Sequence, residues 1–417
     1  MPTNVREGLS RSFIPELNGL RAIAISLVFL HHTSGLIPRV NLPVALLGLY
    51  LTQGWMGVDL FFVISGFLIT GILLDTRECG NYFSGFYARR VLRIFPLYYV
   101  VLTAILAGGA ALKSDVVSSV LPLPADRWLY YCYLTNWISL WKAQWVPGYT
   151  NFVAHFWSLA VEEQFYLAWP LIVWLLRPRT VPYAAGALTA FAFVIRLCWV
   201  SYAGEQQVIA WNTFTRMDSL FIGAICACIY RDAALLAKVR KWLPWTAVAG
   251  LGGYLVSYTL LELRALGFPA ILLRLAKWGS AQYCGYTLIG IGFASILLMA
   301  VQGNENSWMR RILRDRLIGR LGTYSYGFYV FHVPIFGAAC IFAFPAIARL
   351  NPDAVIAGPA CILLLSVVTF IVSALSYELF EKRILGFKRY FEPRYTRSES
   401  ASSIEGTEPA SAEAGGN

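Results

Sequence analysis

The sequence predicts an all-α, polytopic membrane protein with about ten transmembrane helices and both termini in the cytoplasm. Three observations carry this. Of its 417 residues, 58% are hydrophobic and only 14% charged, where a soluble domain carries about 25% charge. Apolar runs of about twenty residues recur along the chain, each long enough to cross a hydrocarbon core roughly 30 Å thick. The basic residues divide unevenly among the connecting segments, in the pattern that holds positive loops in the cytoplasm.

The predicted spans are 17–36, 54–74, 92–113, 156–176, 182–203, 214–231, 243–262, 280–301, 324–348 and 355–379. The opening MPTNVREGLS lacks the apolar core and cleavage site of a signal peptide, so the first apolar segment is expected to remain as a spanning helix. Arg196, Arg216 and Asp218 interrupt the fifth and sixth spans. With ten crossings, the two tails and the loops after the even-numbered spans hold 23 of the 34 Lys and Arg residues. The opposite loops hold 8, and three lie within spans. This asymmetry places both termini in the cytoplasm and accounts for the net charge of +11 with no nucleic-acid partner. Residues 1–395 therefore read as one integral-membrane domain. Residues 396–417, small and polar throughout, read as a disordered cytoplasmic tail. Between spans 3 and 4, RWLYYCYLTNWISLW suits either an external interfacial element or a cap over a substrate site. The eight scattered cysteines lack a metal or redox spacing and read as small packing residues, and no metal is expected.

An ionisable side chain at the bilayer centre costs about 2.5–3.5 kcal/mol on insertion scales, so each one inside a span is a functional candidate. In LRAIAISLVFLHHTSG, Arg21 and His32 are eleven positions apart. A helix returns to nearly the same direction after eleven steps, so both share one face about 16 Å apart. His31 points off that face and reads as incidental. Asp59 lies in GWMGVDLFFVISGFLIT, followed by Ser65-Gly66, a small pair that more often marks close helix approach than catalysis. HFWSLAVEEQFYLAWPL puts Ser158, Glu162 and Tyr166 on one face with His155, while Glu163 points about 100° away. Carboxylates pack poorly in lipid, so at least one of the two glutamates is expected to pair with a cation. Arg216 and Asp218 open span 6. His332, in span 9 ahead of Pro334, suits either a polar cavity or a helix-packing hydrogen bond. At 1.5 Å per residue, His32, Asp59, Glu162 and Asp218 all fall about 6–9 Å below the outer surface. Asp59, Ser158, Asp218 and His332 are therefore candidates for lining a substrate cavity. On the inner side FYARRVLRIFPLYY presents Arg89, Arg90 and Arg93. Arg89 and Arg93 share a face, as a phosphate site requires, although positive-inside anchoring also explains them.

ELNGLRAIAISLVFLHHTS, GWMGVDLFFVISGFLIT, FYARRVLRIFPLYY, FWSLAVEEQFYLAWP, RMDSLFIGA, YSYGFYVFHVP and SYELFEKR occur in that order. Together they resemble the membrane acyltransferase family 3, whose members O-acylate extracellular carbohydrates and some secondary metabolites. The resemblance covers roughly residues 12–390. It implies that Arg21 and His32 are the family's arginine–histidine pair, with His32 catalytic. It implies that Arg89, Arg90 and Arg93 match the arginine motif tied to acyl-CoA, that Glu162 and Glu163 are the essential acidic pair, and that His332 is the histidine of the family's late motif. Some members carry a C-terminal extracytoplasmic hydrolase-like domain. This chain ends in its polar tail and is expected to be a stand-alone form.

Residues and resemblance together predict a multi-pass O-acyltransferase of the bacterial inner membrane. Acyl-CoA, acetyl-CoA by default, is the donor, and a hydroxyl of a cell-envelope or exported glycan is the acceptor. His32 serves as general base, Glu162 or Glu163 orients its imidazole, and Arg21 assists at the cytoplasmic mouth. A covalent acyl-histidine or acyl-serine intermediate is the alternative route. The rival reading is a proton-coupled transporter whose intramembrane Asp, Glu, His and Arg form the relay. The lack of an internal inverted repeat in the sequence weighs against it.

Overall fold

The computed structural model describes residues 14–38, 42–112, 114–119, 121–137, 152–203, 207–264, 267–303, 307–349 and 354–395. The predicted tail at 396–417 and the end of the aromatic stretch before span 4 lie outside them. Among the described residues all regular structure is helical. The elements that matter for the site are α1 (Pro15–Thr33), α2 (Leu42–Leu51), α3 (Gly57–Asp75), α4 (Tyr82–Ala111), α5 (Trp157–Leu175), α6 (Val181–Ala203), α7 (Asp218–Arg231), α8 (Ala233–Arg240), α9 (Gly253–Glu262), α10 (Ala270–Gly279), α11 (Tyr286–Gln302), α12 (Arg316–Thr323), α13 (Ser325–Ala338) and α14 (Ala354–Ser376).

Among the described residues, six helical stretches are long and apolar enough to cross a membrane: Pro43–Asp75, Tyr82–Ala111, Pro178–Tyr202, Ala270–Gln302, Ser325–Ala343 and Ile356–Phe391. The pair α7 and α8, bent by 112°, makes a seventh if it is counted as one span. A helix covers each of the ten predicted segments, but α1 and α5 are not among the six. Arg21 and the two histidines in α1, and the two glutamates in α5, make those helices too polar. These two helices carry Arg21, His32 and Glu162, and the other site helices, α3, α4 and α13, belong to the six apolar stretches.

Two boundaries differ from the sequence reading. Helix α4 begins ten residues before the predicted span, because its first turns bind α5 rather than lipid. Tyr82 and Tyr87 donate to the carbonyls of Pro170 and Leu167 (3.0 and 2.9 Å), and Phe83 packs on Trp174. Hydropathy alone detects only the later, apolar part of that helix. Helices α10 and α11 run on through a break at Tyr283, whose φ and ψ (−106°, −105°) are not helical.

Helices α3 and α7 cross at backbone contact. A Cβ on Gly66 would run into the carbonyl oxygen of Leu220, and one on Gly223 into that of Val63. Gly66 is thus the close-approach residue that its small neighbourhood suggested. At the end of the bundle where α1 starts, Glu16 accepts from both Arg310 (2.5 Å) and Arg314 (2.7 Å), tying α1 to the segment before α12. Arg77 donates to the carbonyls of Val173 and Trp174 (2.9 Å each) and of Leu176, closing the C-terminus of α5 with a cation as the helix dipole favours.

The helix crossing sets a test. Gly66→Ala is expected to cost about 1–3 kcal/mol through overpacking. It should lower the unfolding temperature in detergent, while Gly186→Ala, inside α6 with open space around its α-carbon, should leave it the same or raise it slightly.

Candidate functional site

The candidate residues fall into two connected layers. The inner one is a cavity of about 100 Å³ between α1, α3, α4, α5 and α13. Arg21 of α1 and Arg90 and Arg93 of α4 line it, opposite Glu162 of α5. Three guanidiniums thus meet one carboxylate, a lining that favours an anion. Arg21 donates weakly to Asn18 (3.4 Å). Arg90 lies over the rings of Phe86 and Tyr166, 5.7 Å from each centroid. Arg89 is directed elsewhere: its guanidinium donates to the carbonyl of Phe391 (2.5 Å), outside the cavity. The face that holds two arginines toward the interior is therefore that of Arg90 and Arg93, three apart, joined by Arg21 from another helix.

Glu162 accepts from Ser65 (2.7 Å), and Ser65 in turn accepts from Tyr166 (3.1 Å). Glu163 points away as the helix period requires, and its buried Oε1 has no hydrogen-bond partner. Among the described residues neither glutamate makes a direct ion pair. Arg21 and Arg90 supply the countercharge of Glu162 at longer range.

The outer layer contains every histidine of the chain, four in all. Their rings form a series: His31 to His32 at 5.0 Å between centroids, His32 to His332 at 4.9 Å, and His332 to His155 at 5.1 Å. His32 Nδ1 lies 2.9 Å from the carbonyl of Val28. A carbonyl can only accept, so Nδ1 carries the proton and Nε2 carries the lone pair. The imidazole is therefore held as a base at Nε2. The expected carboxylate partner is replaced: Glu162 sits one helical turn beyond Ser158 among the arginines, and what faces His32 is the backbone of Val28 and the Nε2 of His332, 3.3 Å away. His31 donates to the carbonyl of Thr52 (2.5 Å), which fixes the start of the 3₁₀ turn between α2 and α3.

Ser158 and Tyr329 join the layers. Both line the inner cavity and are hydrogen-bonded to each other. Tyr329 also donates to the carbonyl of His155 (2.7 Å). A polar path thus runs from the arginines past Glu162, Ser158 and Tyr329 to the histidines.

Asp59 and Asp218 are placed differently. Asp59 accepts from Arg216 (2.9 Å) and Ser219 (2.8 Å). Asp218 accepts from Arg196 (3.0 Å) and Thr287 (2.7 Å). All four charged groups are essentially out of solvent. Arg216 also lies over Tyr286, 3.6 Å from the ring centroid. These two carboxylates neutralise buried arginines and do not line the inner cavity.

The sequence reading did not single out Tyr329, Ser325 or Tyr326, all of which line the cavity. Their signal was present: Ser325 and Tyr329 are four apart in the quoted YSYGFYVFHVP, one face of a helix. It set His31 aside, and it gave Ser65 only a packing role. Glu16 also escaped it, although an acid opening a span and RRILRDR before another are complementary charges at one level of the membrane.

The family model described as an acyltransferase domain matches residues 14–378. The O-acetyltransferase OatA of Staphylococcus aureus is 27% identical over 338 residues, covering 78% of this chain and 51% of that protein. The peptidoglycan O-acetyltransferase OatA of Listeria monocytogenes is 26% identical over 397 residues, covering 92% of this chain and 58% of that protein. The chain spans about half the length of the curated relatives it matches. No solved structure matches it significantly.

The ion pairs predict a stability pattern. Arg216→Met leaves Asp59 buried and unpaired, at a cost of about 3–5 kcal/mol, and should sharply reduce the yield of folded protein. Adding Asp59→Leu should recover much of that yield, read by thermal stability in detergent.

Proposed function

The chain belongs to membrane acyltransferase family 3, and on that premise we propose that it transfers an acyl group, acetyl by default, from acyl-CoA to a hydroxyl of a cell-envelope or exported glycan. The observation that carries this reading is the convergence of Arg21, Arg90 and Arg93 on a cavity whose Ser158 and Tyr329 lead to His155 and His332, and through His332 to His32. Ten crossings with cytoplasmic termini in a bacterial inner membrane are part of the proposal. In that frame the arginines open to the cytoplasm and the histidines lie in the outer half.

The donor chemistry matches the lining. A diphosphate or phosphomonoester is held well by several guanidiniums, whose forked donors fit its oxygens. The cavity is too narrow for a nucleotide and suits a slender pantetheine arm, so the nucleotide stays at the cytoplasmic mouth while the thioester reaches inward. Glu162 limits the excess positive charge and, with Ser65 and Tyr166, fixes the shape of the wall. At the other end His32 Nε2 takes the proton of the acceptor hydroxyl as its oxygen attacks the thioester carbonyl carbon. The carbon–sulfur bond breaks, and the proton on Nε2 passes to the departing CoA thiolate. The peptidoglycan relative makes peptidoglycan fragments the first acceptors to try.

The test uses the full chain in nanodiscs with radiolabelled acetyl-CoA and soluble peptidoglycan fragments. His32→Ala is expected to keep acetyl-CoA binding and to lose at least about 100-fold in CoA release, the usual contribution of a general base. Arg90→Ala with Arg93→Ala should instead weaken acetyl-CoA binding. If the wild-type protein does not engage acetyl-CoA at all, the reading fails and the intramembrane charges belong to a transporter.

A further inference from the structure

We infer that His332 is the positioning residue of the base: its neutral imidazole accepts the Nδ1 proton of His32 and so does the work that a carboxylate does in hydrolase triads. The inference rests on the proposed function and deepens it.

The hydrogen bonds determine which atoms carry protons. His332 Nδ1 lies 2.7 Å from the carbonyl of Tyr329. That oxygen can only accept, so Nδ1 of His332 is protonated and its Nε2 holds a lone pair. The lone pair faces Nδ1 of His32 at 3.3 Å, and that nitrogen is protonated because it also faces the carbonyl of Val28 at 2.9 Å. The two rings interlock in one sense only. A proton on Nε2 of His332 would oppose the proton on His32, so the resting pair is neutral. When His32 takes a second proton at Nε2, its Nδ1–H becomes a stronger donor, and His332 supplies the acceptor that stabilises the imidazolium. The groups facing the pair are His31 on α1, His155 ahead of α5 and Tyr329 on α13.

A histidine suits this place better than an acid. His332 is 1% exposed. A carboxylate there would bring a full negative charge into a buried site and demand a cation of its own, as Asp59 and Asp218 each do. A neutral acceptor makes no such demand. The ring is held from its own helix by the carbonyl of Tyr329 and packs against the ring of His155.

The experiment compares wild type, His32→Ala, His332→Leu and His332→Gln as full chains in nanodiscs, following CoA release from acetyl-CoA with peptidoglycan fragments. His332→Leu fills the space without an acceptor. It should lower kcat by about 10- to 100-fold, as loss of an orienting partner does, with KM for acetyl-CoA within about twofold. His332→Gln places an amide oxygen near the lost Nε2 and should recover kcat to within about threefold of wild type. The inference is overturned if His332→Leu keeps more than about a third of wild-type kcat. It is equally overturned if His332→Gln is as slow as His332→Leu at unchanged KM, since volume and not the acceptor then matters. Should His332→Leu not fold, His332→Gln decides alone: kcat within about threefold of wild type supports the inference, and any lower kcat overturns it. If His32→Ala turns over like wild type, the proposed function itself falls and takes this inference with it. Failure of the inference alone leaves the difference between wild type and His32→Ala intact.

Discussion

A charge buried in this bundle must find its opposite there, and much of the architecture follows from that. Arg196 and Arg216 are fully enclosed, and each is neutralised across a helix boundary, by Asp218 and Asp59 respectively. Together these pairs bind α3, α6, α7 and the start of α11 along the seam where Gly66 and Gly223 let two backbones touch. The close approach and the ion pairs depend on each other. Removing water from the seam strengthens the Coulomb attraction, and that attraction offsets the desolvation which the close approach imposes.

The same requirement separates structural charges from working ones. Asp59, Asp218, Glu16 and Asp75 are each matched by an arginine at 2.5–3.0 Å. Among the described residues Arg21, Arg90 and Arg93 are not matched in this way. They share a cavity with a single lining carboxylate, and Arg90 rests against aromatic faces instead. Glu163 lies near Arg90 and Glu381 near Arg93, so these charges are balanced at longer range. Guanidiniums without a bonded carboxylate keep their donors for an anionic ligand, and that, more than the number of arginines, marks this cavity as a candidate site.

What was legible in the sequence was whatever lies on one helix. The eleven-residue interval between Arg21 and His32 and the four-residue steps from Ser158 to Glu162 and Tyr166 survive intact, because helical period fixes them regardless of neighbours. Pairing between helices has no comparable local signal. Arg216 and Asp218 stand two apart and invite pairing, yet two steps on a helix turn the side chains about 200° apart, so each finds its partner elsewhere. For the same reason the glutamates could not be assigned to His32 or to the arginines from spacing alone. Arg89 and Arg90 differ by one position, about 100° on the helix, and the way α4 seats against its neighbours turns Arg90 into the cavity and leaves Arg89 to the carbonyl of Phe391. His31 was set aside on helical direction. Direction places it off the Arg21–His32 face, as expected, but its contact with the carbonyl of Thr52 comes from a different element.

The contrast between the two layers also explains how one helix can serve both. On the proposed mechanism Arg21 and His32 need opposite surroundings: a guanidinium that remains charged requires anions or water, whereas an imidazole that is to accept a proton has to stay neutral at rest. Three turns of separation on α1 would keep the cationic cavity from suppressing protonation of such a base by direct repulsion, since the attraction or repulsion of charges falls with distance. Glu162 stands at the arginine end of the path, and from there to the histidines the link is made of hydroxyls, Ser158 and Tyr329, which carry no charge. Neutral hydroxyls next to a neutral histidine pair allow the two ends of α1 to work in one continuous path while remaining electrostatically distinct.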